Sequence, residues 1–256
     1  MKLSINYKLL LPILFLTLIG MGIIGAVSYF SSKDIVQQAI TSQLIQVANN
    51  IVISIDTWMD ARKLDLKNWG DQDIYQKAVL DDIVGKSARK AANARLEKLK
   101  SDYDFLQSIH LVDINGTILS SANADQDGQN NSLNLSQNPA FQSAIKGQLT
   151  VSEVMKSPIN GSPVYLVIAP VQKSGAVQGA LVAMIDLETF SKTFVYPISI
   201  GKQGHAYLYS QSGDIIAHRE SVKLFNENIQ SLNYSDLMRK SNAGVISYIH
   251  CLLYTS

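Results

Sequence analysis

Asp186 is a side chain whose place in the sequence suits it to bind a charged group. It directly follows the apolar run Ala180 to Ile185, so its carboxylate is expected at the end of a strand, beside a buried surface. There it can pair with the ammonium of a ligand, or it can cap a helix that begins at Leu187, because aspartate is a favoured N-cap residue. The two roles do not exclude each other, and the residue types leave both open.

The residues that usually carry chemistry do not indicate an enzyme. The sequence has no H-E-x-x-H pattern, no G-x-S-x-G elbow and no Walker A loop, and its one cysteine, Cys251, lies at the irregular end of the chain. Acidic pairs such as Asp71 and Asp73 lie at loops or helix starts, where capping and solvation explain them. We therefore expect a protein without catalytic activity, cofactor or metal, with a membrane-anchored envelope enzyme as the weaker alternative. The histidines lie in separate strand-like regions without metal-binding spacing: His110, His205, His218 and His250.

Composition excludes two further classes of protein. The 256 residues are 46% hydrophobic and 17% charged, and 22 basic residues against 21 acidic ones give a net charge of +1. A nucleic-acid-binding protein normally carries a basic excess, and a single cysteine cannot form a disulfide framework. The length allows one large domain or two small ones, each with a real core.

The segment from Leu9 to Phe30 is expected to cross a membrane. Its 22 residues include no charge, and a helix of that length spans roughly 33 Å. Lys2 and Lys8 precede it, whereas Lys33 and Asp34 follow as a balanced pair, so the positive-inside rule keeps the N-terminus in the cytoplasm. A cleaved signal peptide is the alternative, but its apolar core is usually only about 7 to 15 residues long. We therefore favour an uncleaved anchor, with the rest of the chain outside.

Two helices are predicted between this segment and the first strand. Apolar side chains recur every three or four residues from Ile40 to Trp58, which predicts a helix over Ser31–Asn68. Its apolar stripe is expected to cover either the sheet or a second copy of the chain. Charged residues that alternate with alanine and leucine predict a second helix over Ser87–Lys100, whose basic side chains form a solvated face.

The pattern then changes to the alternation that is typical of strands. Asn115 and Gly116 separate two such runs, 108–113 and 117–120, and form a strong hairpin signal. Further strand-like runs cover 149–155, 164–171 and 177–185, with turn residues between them. Short connections imply an antiparallel sheet, and together with the helices this predicts an α+β fold.

An internal repeat predicts two tandem modules. The hairpin around Gly116 has a counterpart around Gly213, where a strand, a polar turn, a glycine and a second strand recur. The second module begins near Tyr196 and stops soon after a predicted strand over Gly244–Ile249. The predicted organisation is a cytoplasmic N-terminus (1–8), a transmembrane helix (9–30), a long stalk helix (31–69), a membrane-distal module (70–195), an incomplete membrane-proximal module (196–250) and a doubtful tail (251–256).

This order of elements resembles the double Cache (dCache) sensor domains of bacterial transmembrane receptors, most of all methyl-accepting chemotaxis proteins. The resemblance covers residues 31–250 and depends on a set of ordered blocks: HLVDINGTILSS, NLSQNPAFQSAIKGQ, SPVYLVIAPV, VQGALVAMIDLETF and GKQGHAYLYSQSGDIIAHRE. It implies two PAS-like modules outside the plasma membrane, usually in a homodimer. The distal module would bind a small molecule and signal along the long helices to a cytoplasmic output module. Chemotaxis is the preferred output, with a sensor histidine kinase or a diguanylate cyclase as alternatives.

The same resemblance suggests where a ligand binds. Where amino-acid-binding members have an arginine and two aromatic residues, this chain has Asn138, Ala140 and Phe141, while Asp186 matches their amine-binding aspartate. Asparagine cannot supply the planar guanidinium that clamps a carboxylate, so we expect an amine, a neutral polar molecule or a different small acid rather than an ordinary α-amino acid. From the residues alone, Asn138 and Pro139 predict a helix start, and Phe141 a core position. The position of their blocks in the family adds four residues, so that the candidate set is Ser121, Asn138, Phe141, Met155, Ser157, Tyr165 and Asp186.

Overall fold

The computed structural model describes residues 5–122, 135–200, 204–210, 212–220, 223–226 and 228. The chain divides into two compact units, one with the N-terminal residues up to Val52 and the other from Ile53 to Asp236. Helix α1 (Ile5–Gly70) contributes to both units. Every other helix and strand given below lies in the second unit.

The N-terminal part of α1 contains the apolar segment. From Pro12 onward this helix is long and apolar enough to cross a membrane, with a mean hydropathy of 2.2 over an 18-residue window that is 0% buried. Side chains such as Phe15, Leu16 and Ile24 are exposed, as expected of a helix that lipid surrounds. The helix continues through the predicted stalk, where no glycine or proline interrupts it before Gly70.

In the second unit, the predicted apolar stripe of α1 packs on the sheet. Leu66 and Trp69 are buried, and Ile55 and Trp58 pack against the same core. Of the two partners expected for the stripe, the sheet is therefore the one that this part of the helix contacts.

Two shorter helices complete this layer, α2 (Asp73–Ala78) and α3 (Ile83–Asp102). The third helix starts four residues before the predicted Ser87 because the Asp82 carboxylate caps it and accepts a backbone amide of the first turn at 2.7 Å. Arg89 departs from the predicted solvated basic face. Its guanidinium donates to the carbonyls of Ala78 and Leu80 at 3.2 and 3.1 Å, and so it ties the turn between the two helices.

Six antiparallel strands form the main sheet, which confirms the α+β class. The hydrogen-bonded order is β2-β1-β6-β5-β3, and β4 also pairs with β5. The strands are β1 (Leu106–Asp113), β2 (Ile118–Ser121), β3 (Thr150–Val151), β4 (Met155–Lys156), β5 (Pro163–Lys173) and β6 (Ala176–Asp186).

The strand predicted over 149–155 is instead two short pieces, β3 and β4. Ser152 causes the interruption, because its hydroxyl accepts the Leu166 amide at 2.9 Å while its own amide donates to the Leu166 carbonyl at 2.8 Å. A side chain thus takes the place of a backbone acceptor, and the regular ladder ends there.

The β5–β6 hairpin turns through Ser174 and Gly175, which both have positive φ, 53° and 81°. This is the combination that a two-residue type I′ turn requires, and it matches the right-handed twist of the two strands. The long hairpin places β6 at the centre of the sheet, between β5 and β1.

The sheet has a hydrophobic core on each face. The first, which includes Ile109 and Val167, packs against α1, α2 and α3. The second, which includes Leu166 and Met184, packs against α4 (Pro139–Ala144). Because successive residues of a strand point to opposite faces, β5 and β6 are buried on both sides along most of their length.

The predicted hairpin repeat is confirmed in its loop geometry. Gly116 and Gly213 have φ of 87° and 89°, and each glycine amide donates to the carbonyl three residues earlier, at 3.1 and 2.9 Å. The second hairpin joins β9 (Tyr207–Tyr209) to β10 (Ile215–His218), after the small pair β7 (Ser199–Ile200) and β8 (Gly204–His205). The strand predicted over Gly244–Ile249 and the tail 251–256 lie outside the described residues.

Gly179 provides a test of how closely β6 and β1 approach each other. A Cβ atom at this position would lie 2.2 Å from the Val112 carbonyl oxygen and 2.6 Å from a Val79 methyl group. We expect Gly179→Ala to lower the free energy of unfolding by about 1–3 kcal/mol, the usual cost of overpacking. Gly70→Ala is the matched control, because its Cβ would meet no atom closer than 3.8 Å. Urea denaturation of both variants checks this, and equal stability of the two would contradict it.

Candidate ligand-binding site

Six of the seven candidate residues lie on the α4 side of the sheet, three of them placed by strand register and three by α4 or by a side-chain contact. Asp186 and Met155 both pair with Val164, which belongs to the core on this side. Ser121 pairs with His110, which in turn pairs with Val182 of the same core. The others are Asn138 and Phe141 on α4 and Ser157, which contacts Met184.

Helix α4 is held over this face by its cap and its buried ring. The Asn138 side-chain oxygen accepts the amides of Ala140 and Phe141 at 2.9 and 3.3 Å, and Pro139 occupies the first turn. The predicted helix start is therefore confirmed. Phe141 is fully buried in the core beneath the helix, which confirms the core position inferred from the residues alone.

A groove of about 690 Å³ runs between α4 and the β3–β4 segment. It is lined by residues 137–140, Ser143 and residues 150–155, and so it includes two candidates, Asn138 and Met155. Glu153 is the one charged residue in this lining, and it is exposed. The groove therefore offers hydroxyl, amide and carboxylate groups, but no cationic side chain for a ligand carboxylate.

Asp186 has the N-cap role that its sequence position allowed. Its carboxylate accepts the Glu188 amide at 3.0 Å and the Thr189 hydroxyl at 3.2 Å, at the start of α5 (Leu187–Phe194). Asp186 is only half-buried, and its carboxylate has unused lone pairs after these two bonds. The cap therefore leaves it able to accept a further donor.

Ser157 directly follows β4 and belongs to a polar network at the turn between β4 and β5. Its hydroxyl donates to the Gln107 side-chain oxygen, lies 3.6 Å from the Met184 sulfur, and accepts the Ile159 amide at 3.1 Å. Gln107 also donates to Ser162 at 2.6 Å. This network holds the β4–β5 turn against β1.

Tyr165 lies on the other face of the sheet, apart from the remaining candidates. It pairs with Ile185 and belongs to the core under α1. Burial raises the pKa of its phenol far above the usual value, although the positive charge of Arg62 acts in the opposite direction. In the described part of the chain, the Tyr165 hydroxyl has no hydrogen-bond partner.

The sequence interpretation missed a buried polar pair on the α4 side. The Ser108 hydroxyl and His110 Nε2 are 2.7 Å apart, and both residues are almost fully buried. Their signal was two polar residues two positions apart, next to the apolar residues Ile109, Leu111 and Val112. A buried polar pair is more informative than an exposed one, because it must be satisfied by specific partners. No group of three or more possible metal ligands occurs among the residues that the structure describes.

An antiparallel sheet with a long N-terminal helix on one face, and a groove under a short helix on the other, defines the PAS-like class of sensor fold. Residues 32–250 match the sequence profile of the Cache domain. The chain therefore belongs to the Cache domain family, whose members are extracytoplasmic sensory modules that bind ligands rather than catalyse reactions.

Solved structures with a similar fold include domains of a histidine kinase, a chemoreceptor and a GGDEF family protein. The sensor domain of the Vibrio cholerae histidine kinase DctB is 19% identical, with a TM-score of 0.55, over 72% of this chain and 67% of that one. The ligand-binding domain of the Pseudomonas aeruginosa amino acid chemoreceptor PctC, in complex with GABA, is 18% identical, with a TM-score of 0.55, over 75% and 82%. A domain of a sensory box/GGDEF family protein from Vibrio parahaemolyticus is 15% identical, with a TM-score of 0.56, over 73% and 75%. No curated protein sequence matches this chain.

Proposed function

We propose that this chain is the signal-input part of a transmembrane chemoreceptor, and that a small molecule binds on the α4 side of the distal module. The observation that carries the proposal is the groove between α4 and the β3–β4 segment, which adjoins the buried face bearing Met184. A histidine kinase or diguanylate cyclase output is the alternative, since the structures with a similar fold come from a histidine kinase, a chemoreceptor and a GGDEF family protein. A membrane-anchored envelope enzyme is a further and less favoured alternative.

The proposed ligand is an amine or another small polar metabolite. Glu153 in the groove and Asp186 at the end of β6 can both attract an ammonium group. The Asn138 oxygen is already used by two backbone amides, so only its amide hydrogens remain to meet a ligand. These hydrogens suit a neutral hydrogen-bond acceptor on the ligand. A ligand carboxylate would need a cationic side chain, and the groove lining contains none.

The proposed residues differ in how directly they would meet this ligand. Asn138 and Met155 line the groove, and Asp186 lies at the strand end on the same face. Ser121, Phe141 and Ser157 would shape the pocket from within that face. Tyr165 would act from the opposite face, through the strand that it shares with Val164.

A signal would have to cross the sheet to reach α1. Along β5, Val164 and Leu166 face the groove side, while Tyr165 and Val167 face the helix layer. A ligand that binds one arrangement of this strand better than another shifts the equilibrium by its differential affinity alone. The helix packed on that strand would then report the change toward the membrane, with the N-terminus in the cytoplasm and the sensor outside the plasma membrane.

A thermal-shift screen of the full chain in nanodiscs tests the proposal. The panel contains amines, neutral polar metabolites, small acids and α-amino acids. We expect the amine or neutral polar class to raise the melting temperature, because a ligand at about 100 times its Kd stabilises a protein by about 2.7 kcal/mol. We expect α-amino acids to leave the melting temperature unchanged, because the groove has no cationic side chain for their carboxylate. If no class raises the melting temperature, the ligand-binding function is wrong.

The proposed homodimer predicts different effects at two adjacent residues of α1. Ile51 belongs to the apolar stripe and is half-buried, whereas Val52 is 54% exposed and lies off the stripe. We expect Ile51→Asp to weaken dimerisation at least tenfold, since burying an unpaired carboxylate is costly, and Val52→Asp to leave it unchanged. Sedimentation equilibrium in a non-ionic detergent measures both. Equal association of the two variants would exclude this stripe as the interface.

A further inference from the structure

A second cleft lies on the opposite side of the sheet from the α4 groove and shares no residue with it. Its volume is about 200 Å³, which suits a ligand of a few heavy atoms. Three parts of the chain meet there: Trp58 of α1, residues 102–105 from the end of α3 to the start of β1, and one face of α5 that carries Thr189, Phe190 and Thr193.

Aromatic rings form much of the wall of this cleft. Trp58 lies at the centre, with its ring centroid 5.7 Å from that of Phe105 and 5.4 Å from that of Phe190, at interplanar angles of 80° and 64°. Tyr103 extends the cluster, with its centroid 5.4 Å from that of Phe105. Aromatic faces carry negative potential and attract cations.

Arg62 shows that these rings accept a cation in the folded protein. Its guanidinium carbon lies 4.5 Å from the Phe105 ring centroid and 5.4 Å from that of Trp58. Arg62 is not part of the cleft lining, and Asp65 at 3.0 Å balances its charge. A second cation in the cleft would therefore contact the rings without strong repulsion from Arg62, because Asp65 neutralises the Arg62 charge.

The polar rim of the cleft is negative. Asp102 and Asp104 both line it, and the lining includes no lysine, arginine or histidine. Lys98 lies 3.5 Å from Asp102, whereas Asp104 has no ion pair among the described residues. The C-terminal end of α3 also lies here, and the helix dipole places partial negative charge at that end. The aromatic rings, the two carboxylates and the C-terminal end of α3 therefore all favour a positively charged ligand.

We propose that this cleft binds a small organic cation of the methylated-ammonium class. The rings would contact the methyl groups, and Asp104 would pair with the charge at the rim. An anion would face two carboxylates, and a bare divalent metal ion would find two exposed carboxylates without the six or more oxygen ligands typical of calcium. This site is additional to the groove beside α4 and shares no lining residue with it.

Trp58 itself can report binding in a titration with tetramethylammonium chloride. The chain contains two tryptophans, so Trp69→Phe leaves Trp58 as the one fluorophore of this type. In the full chain in a non-ionic detergent, we expect a saturable change of Trp58 emission with tetramethylammonium. Sodium chloride at equal ionic strength and tert-butanol, a neutral molecule of similar shape, should give none.

Two further substitutions locate the binding. In the Trp69→Phe background, Asp104→Asn should weaken tetramethylammonium binding at least tenfold without affecting folding, because Asp104 is exposed. Glu153→Gln in the α4 groove should leave this titration unchanged. An unchanged affinity in Asp104→Asn, or an equal response to tert-butanol or sodium chloride, would overturn the proposal. A loss in Glu153→Gln would assign the cation to the α4 groove instead.

Discussion

Phe141→Ala is expected to lower the free energy of unfolding by about 3–5 kcal/mol, the usual cost of removing a fully buried aromatic side chain. Phe141 is 0% exposed and lies between α4 and the central strands. For a unit of this size, each kcal/mol lowers the melting temperature by roughly 2–4 °C. The loss should be visible in a thermal melt followed by circular dichroism, and it should remove ligand stabilisation as well, because α4 forms one wall of the groove.

The control for this variant is Phe141→Leu, which keeps most of the apolar volume. It should destabilise the protein much less, and it should leave the groove able to bind the stabilising molecule found in the screen. If Phe141→Ala instead costs less than about 1 kcal/mol, the space beneath α4 collapses easily and the helix is not fixed by this ring.

The capping residues were predictable from the sequence because capping is a local interaction. Asn138 followed by Pro139, and Asp186 at the end of an apolar run, are both helix-start signals that need no knowledge of the fold. The structure contains both caps. The hairpin at Gly116 was predictable for the same reason, since a tight turn depends on the few residues that form it.

The face on which Tyr165 lies could not be predicted in this way. A half-buried strand shows which residues face the core by alternating apolar with polar residues. The run Val164 to Val171 is apolar on both faces, because one face packs on helices and the other on α4. The sequence therefore predicts the strand without its orientation, and a shift of one residue exchanges the two faces.

The break at Ser152 and the pair of Ser108 and His110 were missed for a different reason. The first depends on a contact between two strands, and the second depends on which face of the sheet is buried. The Ser152 hydroxyl replaces a carbonyl only because Leu166 lies beside it. His110 is informative only once it is known to be buried on the face that adjoins the proposed pocket. Spacing along the chain contains neither fact.

Substitutions at Asp186 can separate its two roles. Asp186→Asn keeps a side-chain oxygen to accept the Glu188 amide, and asparagine is as good an N-cap as aspartate, so stability should change little. The negative charge is lost, however, and an amine that stabilises the parent chain should bind at least tenfold more weakly. Thermal melts with and without that amine measure both quantities in one experiment.

Asp186→Ala removes the cap together with the charge. It should lose the amine response to the same degree as Asp186→Asn and in addition lower the free energy of unfolding by about 1 kcal/mol, the typical value of an N-cap. Equal amine binding in the parent and in Asp186→Asn would mean that this carboxylate serves the α5 cap alone, and Glu153 would then be the remaining acid in contact with the groove. Loss of binding in Asp186→Ala but not in Asp186→Asn would instead show that the ligand needs the position of α5 rather than the charge at its start.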